Sequence, residues 1–175
     1  MNRQNVLAIS FAAIVATLMN HPVQAADANP QAVPLSEATL NEIRALYRDL
    51  IDAENRHDIA AVRRFVWNSP TALFVAKTAT AAEGNWAGFW GTEVVLAHLD
   101  ELYKAGPFRI DPDYEKQKVV ALNADVAETV NITVAYAGQT PIPKPFLMIL
   151  MWVRTPQGWR MATDIALPIP PVPKP

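Results

Sequence analysis

Eight consecutive apolar residues, Phe146 to Val153 (FLMILMWV), constrain the fold of this chain more than any other feature. They are too few to cross a bilayer as a helix, which takes about 20 residues. Turn residues follow almost at once, in Thr155-Pro156-Gln157-Gly158. A run of that length before a turn is a strand, and because side chains alternate across a strand, both of its faces are apolar. One face can pack on helices. The other needs its own cover, and a second copy of the chain is a natural one.

The neighbouring segments extend the pattern. Trp159 to Leu167 returns after the turn, while Phe108 to Leu122 and Val126 to Ala137 flank the turn chemistry of Asn123-Ala124-Asp125. These read as strands of an antiparallel meander. Within the second of them Val130, Ile132, Val134 and Tyr136 point one way and Thr129, Asn131 and Thr133 the other, so only one face is fully apolar.

Helical spacing dominates the first half. Ile43, Leu46, Tyr47, Leu50 and Ile51 fall at i, i+3, i+4, i+7 and i+8, which predicts an amphipathic helix over Thr39 to Arg56 with Ser36 ahead as a cap. Asp58 is a good N-cap for a second, short helix carrying Ile59, Val62 and Phe65, closed by Pro70. Thr71 to Val75 is a short β-rich run, and Trp86 to Gly91 is an aromatic-glycine loop. Thr92 to Lys104 predicts a third helix with Val95, Leu96, Leu99, Leu102 and Tyr103 inward, stopped by Gly106-Pro107. Helices first and long strands afterwards give an α+β domain, three helices laid across one face of a curved sheet.

The ends differ in composition. Arg3 precedes an uncharged, mostly apolar stretch from Val6 to Met19, and Val23 and Ala25 supply small residues three and one before a cut between Ala25 and Ala26. That order is the pattern of a cleavable secretory signal, so residues 1–25 are expected to be removed and the protein to be periplasmic or secreted. Residues 26–36 read as a flexible leader, 37–167 as one domain and 168–175 (PIPPVPKP) as an extended proline-rich tail. With 15 basic and 17 acidic side chains, loss of Arg3 leaves a formal balance of −3, so there is no basic field for nucleic acid. No second run of spanning length predicts membrane insertion after cleavage, and with no cysteine neither disulfides nor thiolate metal sites arise.

Several phrases together resemble the nuclear-transport-factor-2-like superfamily, and within it the SnoaL-like and related bacterial domains. They are Ala53-Glu54-Asn55-Arg56-His57-Asp58 at the end of the long first helix, the Gly91-Thr92-Glu93 opening of the third, and the meander ending Gly158-Trp159-Arg160-Met161. The resemblance spans roughly residues 38–167. It implies a cone-shaped α+β fold, a strongly bent antiparallel sheet packed on about three N-terminal helices, enclosing a mostly apolar pocket and commonly dimeric through the sheet. Members include isomerases, dehydratases, epoxide hydrolases, cyclases and pure binding or assembly modules, so the fold alone does not give an activity. Carried over by position, the tyrosine donor of the steroid isomerases falls at Leu50, their general base within Leu73-Phe74-Val75 and their protonated acid within Met148 to Trp152. All three places are apolar, which disfavours that chemistry.

Candidate chemistry therefore rests on other residues. Glu54 continues the helical stripe, three beyond Ile51 and four beyond Leu50; it is either an interior acid with a raised pKa or a rim charge paired with Arg56 or Arg63. Asp164 is either a pocket acid, able to orient water or pair with Arg109, or an outward residue, since alternation puts Arg160 and Ala162 on its side of the strand and Trp159, Met161, Thr163 and Ile165 on the other. His98 has a proton shuttle's chemistry, but a lone helical histidine is more often simply solvated. Tyr47, Trp86, Trp90, Arg109, Tyr136 and Trp152 supply walls and polar handles for a small apolar or weakly polar molecule. No histidine or carboxylate spacing suggests a metal, and no glycine-rich loop or nucleophile motif suggests a cofactor or covalent catalysis. The expectation is an exported small-molecule-binding or accessory protein. The alternatives are a small cofactor-independent hydrolase, dehydratase or isomerase using Glu54 or Asp164 with Tyr47 or His98, and a dimeric assembly module whose pocket is filled.

Overall fold

The computed structural model describes residues 34–76, 88–142 and 144–169. The predicted signal (1–25), most of the leader, Trp86 and the tail beyond Ile169 lie outside the described residues.

Helix α1 spans Glu37–Asn55, and Ser36 caps it by accepting a hydrogen bond from the Thr39 N–H at 3.2 Å. Its stripe of Ile43, Tyr47, Leu50 and Ile51 is buried, and Glu54 extends the buried line by one turn. The helix ends because His57 adopts φ 55°, a left-handed turn that lets the His57 N–H reach the Glu54 carbonyl (2.8 Å) and the Asp58 N–H reach that of Ala53 (3.0 Å). Asp58 then caps α2, Ile59–Val62, through the Ala61 N–H at 2.9 Å. Helix α3, Thr92–Lys104, buries Val95, Leu96, Leu99 and Tyr103. Leu102, predicted inward, is 39% exposed, because the side it faces is an open cavity rather than packed core.

The strands are β1 Leu73–Ala76, β2 Phe89–Trp90, β3 Phe108–Pro112, β4 Lys118–Asn123, β5 Val126–Ala137, β6 Thr140–Pro141, β7 Phe146–Thr155 and β8 Gly158–Pro168. They form one bent, open sheet in the order β2-β1-β8-β7-β5-β3, with β4 and β6 also on β5. Every pairing is antiparallel except β1 with β8. The chain leaving α2 is stitched alongside β8, with Met161 N–H to the Phe65 carbonyl at 2.7 Å and Trp67 N–H to the Met161 carbonyl at 2.8 Å. It continues in that direction as β1, which covers the otherwise open edge of β8.

The single strand predicted over Phe108 to Leu122 is two, broken between Pro112 and Lys118. Asp113 closes a turn there by accepting the Lys116 N–H, with its backbone carbonyl at 3.2 Å and its side chain at 3.3 Å. Both pieces pair along the same edge of β5.

Strand β5 is inside out relative to its lettering. Thr129, Asn131 and Thr133, with Ala127 and Ala135, form the buried face, while Val130, Ile132, Val134 and Tyr136 lie on the opposite one and Ile132 is 40% exposed. The buried polar groups are tolerated because most find partners. The Trp152 indole donates to the Thr129 hydroxyl at 3.1 Å, and Asn131 accepts from the Gln117 amide at 3.1 Å and donates to the Asp113 carbonyl at 3.3 Å. The outward side chains of β7, Leu147, Ile149, Met151 and Val153, lie beside Val130 and Ile132 in a half-buried apolar face.

Candidate functional site

A cavity of about 740 Å³ opens between the end of α1, helix α3 and the inner face of the sheet. Its lining changes character with depth. Ile142, Lys144, Pro145 and Pro168 are exposed and mark the mouth, whereas Glu54, Tyr103, Ile110, Met148 and Asp164 are buried.

Glu54 reaches the deep end because it sits on the buried stripe of α1 and is 6% exposed. The residues after it clasp β3. The Asn55 amide donates to the Ile110 carbonyl (2.9 Å) and accepts the Ile110 N–H (2.8 Å), and His57 Nε2 lies 2.7 Å from the Phe108 carbonyl. A carbonyl only accepts, so His57 carries its proton on Nε2. The His57 ring stacks on Tyr103, with centroids 4.9 Å apart and planes 2° from parallel. One short segment thus fixes Glu54 on the helix and Tyr103 across from it.

Asp164 arrives by a different device. Trp152 pairs with Met161, but its neighbour Met151 pairs with Thr163, so Ala162 is an extra residue in β8. The bulge reverses the alternation predicted from Trp159. Trp159 and Met161 point inward before it, and Asp164 points inward after it, 2% exposed.

Three polar atoms at this end, Glu54 Oε1, Asp164 Oδ1 and the Tyr103 hydroxyl, are buried and have no partner among the described residues. Desolvation pushes the Asp164 carboxyl up to about 7. Glu54 is raised well above the ordinary carboxylate range, first by burial and then by the charge of Asp164. Burial, followed by the charges of Glu54 and Asp164, raises Tyr103 as well, so it stays a hydrogen-bond donor. Two buried carboxyls in an apolar cavity, with burial and the charge of Asp164 opposing ionisation of Glu54, can supply an acid and a base in one place.

The other sequence candidates sit elsewhere. Tyr47 is fully buried beneath the cavity, its hydroxyl 3.4 Å from the Met148 sulfur, and its ionisation is opposed by burial and then by Asp164 and Glu54. Arg109 does not pair with Asp164; it lies beside Tyr136 at the sheet edge, its guanidinium 4.0 Å from the Tyr136 ring centre and 3.8 Å from Asp111. Neither residue lines the cavity, because Tyr136 falls on the outward face of β5. Trp152 is sealed in the core by its bond to Thr129, and Trp90 is 59% exposed. His98 stacks on Phe89 at 3.7 Å and packs against Phe74, one side chain removed from the cavity that Phe74 lines; burial lowers its pKa, against a smaller opposing effect of Glu101. Arg63 pairs with Glu93 at 2.5 Å rather than with Glu54. Among the described residues, no three histidine, aspartate or glutamate side chains gather as metal ligands. Tyr103 and the Asn55 and His57 clasp went unpredicted. The available signal was a phenol on an inward helical stripe, whose hydroxyl needs a partner or a ligand.

No protein-family profile and no curated protein sequence matches this chain. Solved structures do. A cystatin-like-fold protein of unknown function from Nostoc punctiforme aligns with TM-score 0.63 at 16% identity, over 79% of this chain and 82% of its own. An NTF2-like protein of unknown function from Pseudomonas putida aligns with TM-score 0.62 at 15% identity, over 77% and 89%. A member of the NTF2-like family from Streptomyces avermitilis, provisionally described as a dehydratase, aligns with TM-score 0.60 at 15% identity, over 77% and 98%. At these identities the likeness is one of architecture, and the chain has the nuclear-transport-factor-2-like, cystatin-like α+β fold.

Proposed function

We propose that this protein is a cofactor-independent acid–base enzyme acting on a small, largely apolar molecule held in the cavity, with Glu54 and Asp164 as its proton donor and acceptor. The observation that carries this reading is the pair of buried carboxyl oxygens at the cavity wall with no partner among the described residues. Leaving such a group unpaired costs about 1–3 kcal/mol, which a ligand hydrogen-bonding at this end would recover. A pair sharing one proton suits elimination of water. The ionised carboxylate takes a proton from carbon, the C–O bond breaks, and the protonated carboxyl gives its proton to the departing hydroxyl. The pair ends with one proton, as it began. The architectural likeness to the Streptomyces avermitilis protein agrees with dehydration and does not by itself assign it.

Binding without chemistry is the second reading, favoured by the apolar walls of Phe74, Leu99, Ile110 and Met148. The two readings separate on Glu54→Gln and Asp164→Asn. Once a discrete adduct is identified by native mass spectrometry and turnover is assayed, each variant is expected to lower kcat by roughly 10²–10⁴. No turnover by the native chain leaves only binding, and turnover unchanged in both variants removes Glu54 and Asp164 as the acid and base.

Export and pairing through the outward face of β5 and β7 belong to the same proposal. The mature N-terminus is expected at Ala26, read by intact mass, and a dimer by light scattering. A precursor-length chain counts against export, and a monomer against pairing.

A further inference from the structure

Three rows of side chains cross the inner face of the sheet towards the mouth. The first is Phe74, Asp164 and Leu150 on β1, β8 and β7; the second is Ala76, Ala166 and Met148; the third is Pro168 and Phe146. The two alanines are the reason there is space beyond Asp164. From the Asp164 row to the Pro168 row is four residues of β8, about 13 Å of strand. A ligand lying along this path therefore has one end among Glu54, Asp164 and Tyr103 and its body over Ala76 and Ala166.

The deep end also specifies the chemistry of that end. Of the lining residues described, the basic one is Lys144, which is exposed at the mouth, so among the described residues no cation faces the carboxyls. A carboxylate ligand entering end-on meets like charge with nothing to balance it. An ammonium only donates, and a carbonyl only accepts. A hydroxyl does both: it accepts from a protonated carboxyl and donates to an ionised one, so one group satisfies two buried oxygens.

Building on the acid–base reading, we propose that the substrate is an uncharged, hydroxyl-bearing molecule with an apolar body, bound hydroxyl-end first, with Ala166 setting the space for the body. The hydroxyl recognised at the deep end is then the group that the elimination expels.

The test needs no turnover, so its failure is distinguishable from failure of the acid–base reading. Three isosteric bicyclic probes, tetralin bearing an alcohol, an amine or a carboxylate at carbon 2, are titrated calorimetrically into the full mature chain at neutral pH. The alcohol is expected to bind roughly tenfold or more tighter than either charged probe. Ala166→Leu is expected to abolish that binding while the chain still unfolds cooperatively, and Ala76→Val, a smaller change in the same row, to weaken it. Equal or tighter binding of the amine or the carboxylate overturns the inference. So does failure of all three probes to bind, or alcohol affinity indifferent to both alanine variants.

Discussion

Two groups of buried polar side chains face the interior of this protein, and they are treated in opposite ways. Along β5, Thr129 and Asn131 are 0% and 1% exposed, and each has a partner, the Trp152 indole for one and Gln117 with the Asp113 carbonyl for the other. At the cavity, Glu54, Asp164 and Tyr103 are almost as deeply buried, yet each keeps a polar atom with no partner among the described residues. The first group fixes strand and turn positions, as satisfied buried polar groups do. The second holds unspent hydrogen-bonding capacity beside an open volume, the condition for acting on something else.

The largest expected effect concerns the second group. Glu54→Gln and Asp164→Asn should each remove roughly 10²–10⁴ of activity while leaving thermal stability unchanged or raised, because a neutral amide has less to lose on burial than a carboxylate. Loss of activity together with a large fall in melting temperature would place these acids with the structural group and dissolve the contrast. Asn131→Leu should do the reverse. It takes the acceptor from the Gln117 amide and one of two donors from the Asp113 carbonyl, so urea unfolding should show a loss of about 2 kcal/mol, with ligand binding retained by the protein that remains folded.

The pH dependence sharpens the same division. Asp164 has its folded pKa raised to about 7 from an ordinary 3.8, and Glu54 is displaced in the same direction. Between those two values the folded state holds a proton that the unfolded chain has released, so stability falls as pH rises from about 4 through 7. Below the ordinary carboxylate range both states are protonated and the contribution is flat. Asp113 and Glu93 act oppositely, their pKa values lowered by hydrogen bonds from Lys116 and Arg63, but both pairs are solvent-exposed and weak. Melting temperature should therefore decline across pH 5 to 7.5 in the native chain, and Asp164→Asn should flatten that decline. An unchanged slope in the variant removes Asp164 as its source.

Sequence and structure part company at identifiable places. Glu54 is legible because helical geometry is rigid: three residues past Ile51 and four past Leu50 lies the same face. Helices α1 and α3, both long hairpins of the meander and the Asp58 cap follow from equally local rules. The inward direction of Asp164 is not legible, because a single inserted residue at Ala162 reverses every later side chain of β8 and nothing in Met161-Ala162-Thr163 announces it. The inverted burial of β5 escapes for a related reason. Threonines and an asparagine read as solvent-facing until their partners are known, and those partners come from residues distant in sequence, such as Trp152 and Gln117. Arg109 and Tyr136 fail as cavity residues because they satisfy each other at the sheet edge.

The smallest effect is the most direct comparison of the two groups, since it changes one hydroxyl in each. Tyr103→Phe removes a hydroxyl that bonds to nothing in the described protein, so the stack on His57 survives and unfolding free energy should shift by no more than about 0.5 kcal/mol. Thr129→Val keeps the shape of the side chain but strips the acceptor from the Trp152 indole, buried at 0% exposure, and should cost about 1–2 kcal/mol. Affinity for a hydroxylated ligand should rank the other way, reduced by Tyr103→Phe and indifferent to Thr129→Val. Stability from urea curves and affinity from calorimetry on the same two variants therefore cross. If instead Tyr103→Phe is the more destabilising, its hydroxyl is held by the protein itself, and the cavity has one fewer group to offer a ligand.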